Sequence, residues 1–196
     1  GQFGEVAIRV EPLERGAGFE FVDEIKGGVI PGHFVPAVEK GVRQALSEGV
    51  AAGFPLSDVR VTLFDGKTHA VDSKEVAFVT AGRYAMLEAA ALASPVVLEP
   101  VLEVLVRVRG DLVGEVSADF AHRRGRITGN QSLPDGRAEL TAAAPMAEMA
   151  GFESRLKSMT GGDASYSMAL SHFDRVPEAV QRRLESEHQA RRAAGH

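Results

Sequence analysis

The order of hydrophobic patterns across residues 98–175 constrains the fold of this chain more than any other feature. Residues 101–108 are rich in valine and leucine, which is typical of a buried strand. Val113, Val116 and Phe120 then recur at spacings of three and four, which places them on one face of a short helix. The first half of this segment therefore predicts a strand followed by a helix.

Three strands and one helix complete the pattern. We predict, in order, a strand at 125–131, a strand at 137–143, a helix with Pro145 at its first position, and a last strand at 166–171. Pro134-Asp135-Gly136 forms the turn between the first two, and Gly161-Gly162 ends the helix. The resulting β-α-β-β-α-β order is the ferredoxin-like pattern.

Residues 1–97 predict a separate α/β unit. Val6, Ile8 and Val10 alternate along a half-buried strand, and residues 19–25 resume an extended structure. A helical apolar face follows, formed by Val38, Val42, Ala45 and Leu46.

A polar loop at residues 65–73 lies between a strand and a helix that begins near Lys74. Asp72 and Glu75 have the spacing of a helix capping box. The loop contains His69, and loops held between rigid elements are where scaffolds usually carry function. The alternative is a histidine that is merely solvated.

The C-terminal segment starts at Pro177 and predicts a charged helix at 178–192. Val180 and Leu184 form its only apolar seam. Taken by itself, the pattern predicts a solvated helix with a frayed end.

Composition excludes several classes of protein. The 196 residues are 44% hydrophobic and 25% charged, which are ordinary values for one large or two small globular domains. Without cysteine, disulfides and thiolate metal sites are excluded. No apolar run approaches the roughly 20 residues that span a bilayer. The net charge of −5 argues against a general nucleic-acid coat, so any RNA contact must come from local patches and shape.

No constellation of catalytic residues is evident. Residues 27–32 lack the lysine that follows a phosphate-binding glycine loop. The histidines have no metal-ligand spacing. Asp23 and Glu24 are adjacent on a strand and point to opposite sides, which makes them a poor acid–base pair. We therefore expect no catalytic residue, no metal and no cofactor in this chain.

Several motifs, taken in order and spacing, resemble bacterial elongation factor G. Those that resemble its fourth domain are Gly1-Gln2-Phe3-Gly4-Glu5-Val6, residues 27–38 and residues 65–73. Those that resemble its fifth domain are Arg123-Arg124-Gly125, residues 145–149 and residues 164–168. The resemblance covers nearly the whole chain. Because the chain opens on Gly1 and matches the interior of a longer family, we expect a fragment.

The resemblance implies a mixed α/β (α+β) fold of two domains. Residues 1–97 would form a ribosomal-protein-like βαβ domain of the domain IV type. Residues 98–175 would form a ferredoxin-like domain of the domain V type. The helix within residues 176–196 would pack back on the first domain.

The resemblance also implies a function in translocation. In this family the fourth domain enters the ribosomal decoding site, where its tip loops touch the codon–anticodon duplex. The residues here that match those tip positions are Gln2 and His69, flanked by Gly1, Asp65, Gly66 and Thr68. Glutamine and neutral histidine both donate and accept hydrogen bonds, which suits the wide, shallow minor groove of an A-form duplex. The alternative is a frayed Gln2 and a solvated His69.

A second loop of the first domain matches the family at residues 28–36. His33 and Phe34 are its candidate contacts and are expected to be exposed. The alternative is a connector whose glycines and prolines simply set a turn.

The dense basic patch Arg123, Arg124 and Arg126 is a candidate contact to large-subunit ribosomal RNA. Arginine hydrogen-bonds phosphates in bidentate geometry. The alternative is charge balance against Glu115 and Asp119 on the preceding helix.

Three departures from the family's common pattern favour a divergent member. Gly161-Gly162-Asp163 lacks the basic side chains that are common there, and an acidic Asp163 would repel RNA. Lys67-Thr68 replaces a common Ser-Tyr, and His33 replaces an acidic residue. A paralogue for ribosome recycling or rescue therefore stays an alternative, as does a non-ribosomal interaction module.

The resemblance further implies partners and cofactors. The ribosome would be the partner, through ribosomal RNA and the duplex of transfer RNA and messenger RNA. GTP and Mg²⁺ would bind an N-terminal GTPase domain outside this chain. We expect a monomer in the cytoplasm with no membrane partner.

Overall fold

Two hydrophobic cores divide the chain into two units. The computed structural model describes residues 1–195. The first unit comprises residues 1–97 together with the segment that begins at Pro177, and the second comprises Leu98–Val176. Each unit encloses its own cluster of buried apolar side chains.

Alternating apolar residues build a three-stranded sheet in the first unit. Its strands are β1 (Glu5–Pro12), β2 (Phe19–Asp23) and β3 (Val59–Lys67). Their order is β1-β3-β2, with β1 antiparallel and β2 parallel to β3. The central strand β3 supplies Val61 and Leu63, which are fully buried.

Two helices, α1 (Val35–Glu48) and α2 (Glu75–Leu92), enclose this core with the sheet. A short 3₁₀ turn at Gly32–Phe34 leads into α1. Two glycines let the helices approach closely. A Cβ on Gly41 would overlap α2 backbone at the Val79 carbonyl, and one on Gly82 would overlap α1 backbone.

The loop after β3 is shorter than predicted. Strand β3 continues through Lys67, so the loop covers residues 68–74 instead of 65–73. Asp65 and Gly66 therefore belong to the strand, where they pair with Ala7 and Val6.

Helix α2 begins at Glu75 without a capping box. Its N-cap is Lys74, whose side chain makes no capping hydrogen bond within the described residues. The predicted capping role of Asp72 is wrong because this residue lies outside the helix. Its carbonyl oxygen instead accepts a hydrogen bond from the Phe3 amide (2.9 Å), which holds the segment in a turn against the start of the chain.

The C-terminal helix α5 (Glu178–Ala194) makes its contacts within the first unit. The Gln181 side chain accepts a hydrogen bond from the Val97 amide and donates one to the Pro95 carbonyl, each 3.1 Å long. The His188 ring lies directly against Gly53, where a Cβ would overlap it. The half-buried seam of α5 consists of Val180, Gln181, Leu184, Glu185 and His188.

The second unit is a four-stranded sheet with two helices. Its elements are, in order, β4 (Leu98–Arg109), α3 (Val113–His122), β5 (Arg126–Ser132), β6 (Arg137–Pro145), α4 (Phe152–Thr160) and β7 (Ser165–Arg175). The strand order is β5-β6-β4-β7, and every neighbouring pair is antiparallel. The predicted mixed α/β fold class is confirmed, as is the β-α-β-β-α-β order.

Helix α4 starts later than predicted. Pro145 ends β6, paired with Val101, and a 3₁₀ turn at Met146–Glu148 follows. Gly151, with φ of 73°, then lets the chain turn into the helix at Phe152. The prediction that Pro145 occupies the first helical position is therefore wrong.

Candidate nucleic-acid interface

Three chain segments meet at one end of the first sheet. Because β1 and β3 are antiparallel and Glu5 pairs with Lys67, the residues before β1 and the loop after β3 lie at the same end of the sheet. A third segment joins them through a hydrogen bond from Thr68 Oγ1 to the Val29 carbonyl oxygen (3.1 Å). We call residues 1–4, 27–34 and 68–74 together the tip.

His69 is stacked on Phe3 in the tip. The ring centroids are 3.8 Å apart, and the ring planes differ by 10°. Phe3 is half-buried, whereas His69 is exposed. Within residues 1–195 the imidazole nitrogens make no hydrogen bond or ion pair, so they are available to an outside partner.

Ser73 ties the His69 loop to the start of the chain. Its Oγ accepts a hydrogen bond from the His69 amide (2.8 Å) and donates one to the Phe3 carbonyl (3.0 Å). The Ser73 amide also donates to the His69 carbonyl (3.1 Å). Together with the bond between the Phe3 amide and Asp72, these contacts fix the backbone beneath the stacked rings.

Gln2 lies next to the stacked pair. It is exposed, and its side chain has no hydrogen-bond partner in the described part of the chain. Because Phe3 follows Gln2 directly and is stacked on His69, the two predicted contact residues lie close together. Gly1 is exposed beside them. The tip thus presents two polar side chains on a backbone held by the hydrogen bonds of Ser73 and Asp72.

The other residues predicted around His69 are used within the fold. The Asp65 carboxylate accepts a hydrogen bond from the Gly66 amide (2.8 Å), and the Thr68 hydroxyl is bound to Val29. Gly66 is buried, and a Cβ there would overlap the Glu5 carbonyl oxygen. Gly66 thus lets β1 and β3 approach closely, and its contact with an outside partner stays a prediction.

In the third segment, His33 is more exposed than Phe34. His33 is exposed, with its ring centroid 4.1 Å from that of Phe34. Phe34 is half-buried and stacked on the core residue Phe78 at 4.7 Å. The prediction that Phe34 is exposed is wrong because its ring helps to close the first core.

Arg123, in the basic patch of the second unit, is committed to internal contacts. Its side chain is only 14% exposed and bonds to Asp119 at 2.8 Å. Its NH1 donates to the carbonyl oxygens of Glu148 (2.8 Å) and Ala150 (2.9 Å). Arg123 therefore joins α3 to the segment that precedes α4.

Arg124 is also paired internally, whereas Arg126 has no such partner in the described part of the chain. Arg124, with φ of 56°, donates two 2.9 Å hydrogen bonds to Glu99 and one of 3.1 Å to Glu148. The bonds to Glu99 are the main cause that raises the pKa of Arg124 above its ordinary value. Arg126 is exposed and makes no hydrogen bond or ion pair within residues 1–195.

The acidic Asp163 is neutralised by an arginine. Arg137 NH2 lies 2.6 Å from the Asp163 carboxylate, and this hydrogen bond raises the pKa of Arg137. Because the Asp163 carboxylate is paired with Arg137, it repels a phosphate less than the sequence alone indicates. Gly161, with φ of 62°, ends α4 in the left-handed conformation.

Across residues 1–195, no three His, Cys, Asp or Glu side chains are grouped so that they could hold a metal ion. In the same part of the chain, no helix has both the length and the apolar character to cross a membrane.

Comparison with known protein families follows the division into two units. The family described as Elongation factor G, domain IV matches residues 1–94, and the family described as Elongation factor G C-terminus matches residues 96–184. The chain belongs to the domain IV and C-terminal families of elongation factor G. The resemblance seen in the motifs is confirmed.

Individual relatives agree with this assignment. The chain is 46% identical to elongation factor G of Aquifex pyrophilus over 190 residues, which are 97% of this chain and 27% of that protein. A crystal structure of a protein from Thermus thermophilus has a TM-score of 0.81 and 35% identity, covering 97% of this chain and 28% of that one. The chain thus spans about a quarter of the length of these relatives.

The sequence analysis assigned no role to two residues that shape the tip. Phe3 lies in the motif Gly1-Gln2-Phe3-Gly4-Glu5-Val6, but no role was predicted for it. The sequence signal for a role of Phe3 is its apolar ring just before a strand, because a fully solvated terminus would not need an apolar side chain. The signal for Ser73 is its position in a loop, where serine side chains commonly hydrogen-bond to nearby backbone groups.

Proposed function

We propose that this chain is the C-terminal part of an elongation-factor-G-like translational GTPase that promotes translocation. Its first unit inserts the tip into the ribosomal decoding site, where Gln2 and His69 contact the duplex of transfer RNA and messenger RNA. The observation that carries the proposal is a pair of exposed side chains at one end of the three-stranded sheet, neither of which has a hydrogen-bond partner within residues 1–195. The family assignment supports the same role.

The chemistry of the tip suits a transient contact with an A-form duplex. The minor groove of such a duplex displays ribose hydroxyl groups, which both donate and accept hydrogen bonds. Glutamine and neutral histidine have matching donors and acceptors. Neither adds a full charge, so the contacts form and release within one cycle without a strong attraction to phosphate.

The second unit contacts large-subunit ribosomal RNA in this proposal. Arg126 is the phosphate contact of the patch, because its guanidinium is free within the described residues. Arg123 and Arg124 serve the fold instead. GTP and Mg²⁺ bind an N-terminal domain of the longer protein, which works as a cytoplasmic monomer on the ribosome.

The test uses the complete gene product, as wild type and as the double variant Gln2→Ala/His69→Ala. Co-sedimentation with ribosomes and a non-hydrolysable GTP analogue measures binding, and a single-round assay measures translocation. Because each lost hydrogen bond is worth roughly 1 kcal/mol, we expect translocation to slow by about tenfold or more. Binding and GTP hydrolysis should change little. His122→Ala, an exposed histidine of the second unit, is the matched control.

Two outcomes would overturn the proposal. Equal translocation rates in wild type and the double variant would remove the role of the tip. Ribosome binding without translocation in the wild type would assign the protein to recycling or rescue.

A further inference from the structure

We infer that Phe3 and Ser73 are positioning residues that fix the imidazole of His69 before it meets its partner. This inference rests on the proposed role of His69 and adds two residues to the working surface of the tip. Neither side chain needs to touch the nucleic acid. Phe3 acts through the ring of His69, and Ser73 acts through its backbone.

The stacked geometry restricts how the imidazole can point. At 3.8 Å and 10°, the Phe3 ring covers one face of the His69 ring. The other face and the ring nitrogens are left for the partner. An exposed histidine without such a support would sample several rotamers, and binding would then have to select one.

Ser73 holds the two backbones on which the rings are mounted. One hydroxyl accepts from the His69 amide and donates to the Phe3 carbonyl, at 2.8 and 3.0 Å. Removal of this hydroxyl breaks both bonds at once and leaves the stack with less backbone support. A threonine at this position would retain a hydroxyl that can make both.

The expected size of the effect follows from side-chain ordering. Immobilising one side chain on binding weakens an interaction by about twofold to tenfold. Phe3→Leu and Ser73→Ala should therefore slow translocation of the complete gene product by about that factor. Phe3→Tyr, which keeps the ring, should restore the rate. Phe54→Leu, at an exposed phenylalanine of the first unit, is the matched control.

A spectroscopic measurement tests the stack without the ribosome. In the 196-residue chain, the ring current of Phe3 should shift the carbon-bound imidazole protons of His69 upfield in the NMR spectrum. Phe3→Leu should remove this shift while the signals of His122 stay in place. An unchanged His69 spectrum in Phe3→Leu would overturn the inference, whatever the ribosome assay shows.

A double-mutant comparison separates this inference from the proposed function. If Phe3 acts through His69, Phe3→Leu should have no further effect on translocation in a His69→Ala background. Additive losses, or a wild-type rate in Phe3→Leu when His69→Ala is slow, would overturn the positioning role alone. A wild-type rate in His69→Ala would instead contradict the proposed function, and the NMR measurement would still decide the stack.

Discussion

The tip of the first unit and the basic patch of the second unit use their polar side chains in opposite ways. In the tip, Gln2 and His69 face outward, while the bonds of Ser73 lie behind them. In the patch, Arg123 and Arg124 turn toward carboxylates and backbone carbonyls of their own unit. A dense run of arginines can thus be largely committed to contacts within its own unit.

The energetic reason lies in what each side chain must give up. Arg124 would have to break two 2.9 Å hydrogen bonds to Glu99 before it could bind a phosphate in the same bidentate geometry. Within residues 1–195, the His69 side chain has no hydrogen bond to give up. The cost of contact is therefore lower in the tip, although the patch carries more charge.

The largest effect should come from the stability of the second unit. Arg123→Ala removes two hydrogen bonds to carbonyl oxygens and leaves Asp119, only 11% exposed, with Arg155 at 3.6 Å as its remaining cation. We expect a loss of about 3 kcal/mol in the free energy of unfolding. Arg126→Ala, the matched control, should change it by less than about 0.5 kcal/mol. Urea denaturation of the two variants measures both values.

Equal stabilities in these two variants would contradict the stabilising role of the internal contacts of Arg123. Arg123 would then be as free as Arg126, and the whole patch would return as a candidate RNA surface.

The salt dependence of ribosome binding distinguishes Arg126 from the internally paired arginines. If Arg126 alone contacts a phosphate, Arg126→Ala should reduce the slope of the logarithm of ribosome affinity against the logarithm of salt concentration by about 1. Arg124→Lys keeps the charge and should leave the slope unchanged. An unchanged slope in Arg126→Ala would remove the phosphate contact. Binding titrations of the complete gene product across a range of salt concentrations provide the slopes.

Periodicity made the architecture predictable, because burial of one face imposes its spacing on the sequence. The alternation at Val6, Ile8 and Val10 located β1, and the spacing of Val116 and Phe120 located α3. Boundaries were less predictable. Asp72 had the spacing of a helix cap, but the bond between its carbonyl and the Phe3 amide joins residues far apart in sequence, which no local pattern reveals.

Side-chain partners were the least predictable part of the candidate site. Phe34 and His33 are neighbours in one loop, yet only the first meets the buried Phe78. Nothing local to Arg124 indicates that its bidentate partner is Glu99, 25 residues away. Residue type narrowed the candidates, and only the fold separated exposed groups from paired ones.

The smallest effect should come from an ion pair of the first unit that lies outside the tip segments. The hydrogen bond from Arg83 is the main cause that lowers the pKa of Glu48 below its ordinary 4.5. The ion pair therefore stabilises the folded state fully above pH 4.5, and this stabilisation is lost as the pH falls through the lowered pKa of Glu48. Glu48→Gln should be slightly less stable than wild type at neutral pH and equally stable in acid. Because Glu48 is 45% exposed, the difference should be small. Thermal unfolding across this pH range measures it, and a difference that persists in acid would contradict the ion-pair origin.

Cross-linking from residue 69 tests the proposed insertion of the tip into the decoding site. A photo-reactive amino acid would replace His69 in the complete gene product, bound to ribosomes with a non-hydrolysable GTP analogue. The same replacement at His122 is the control. We expect cross-links from position 69 to messenger RNA, transfer RNA or decoding-site RNA, and none of these from position 122. Cross-links from position 69 to none of these RNAs, with the protein still bound, would contradict the account.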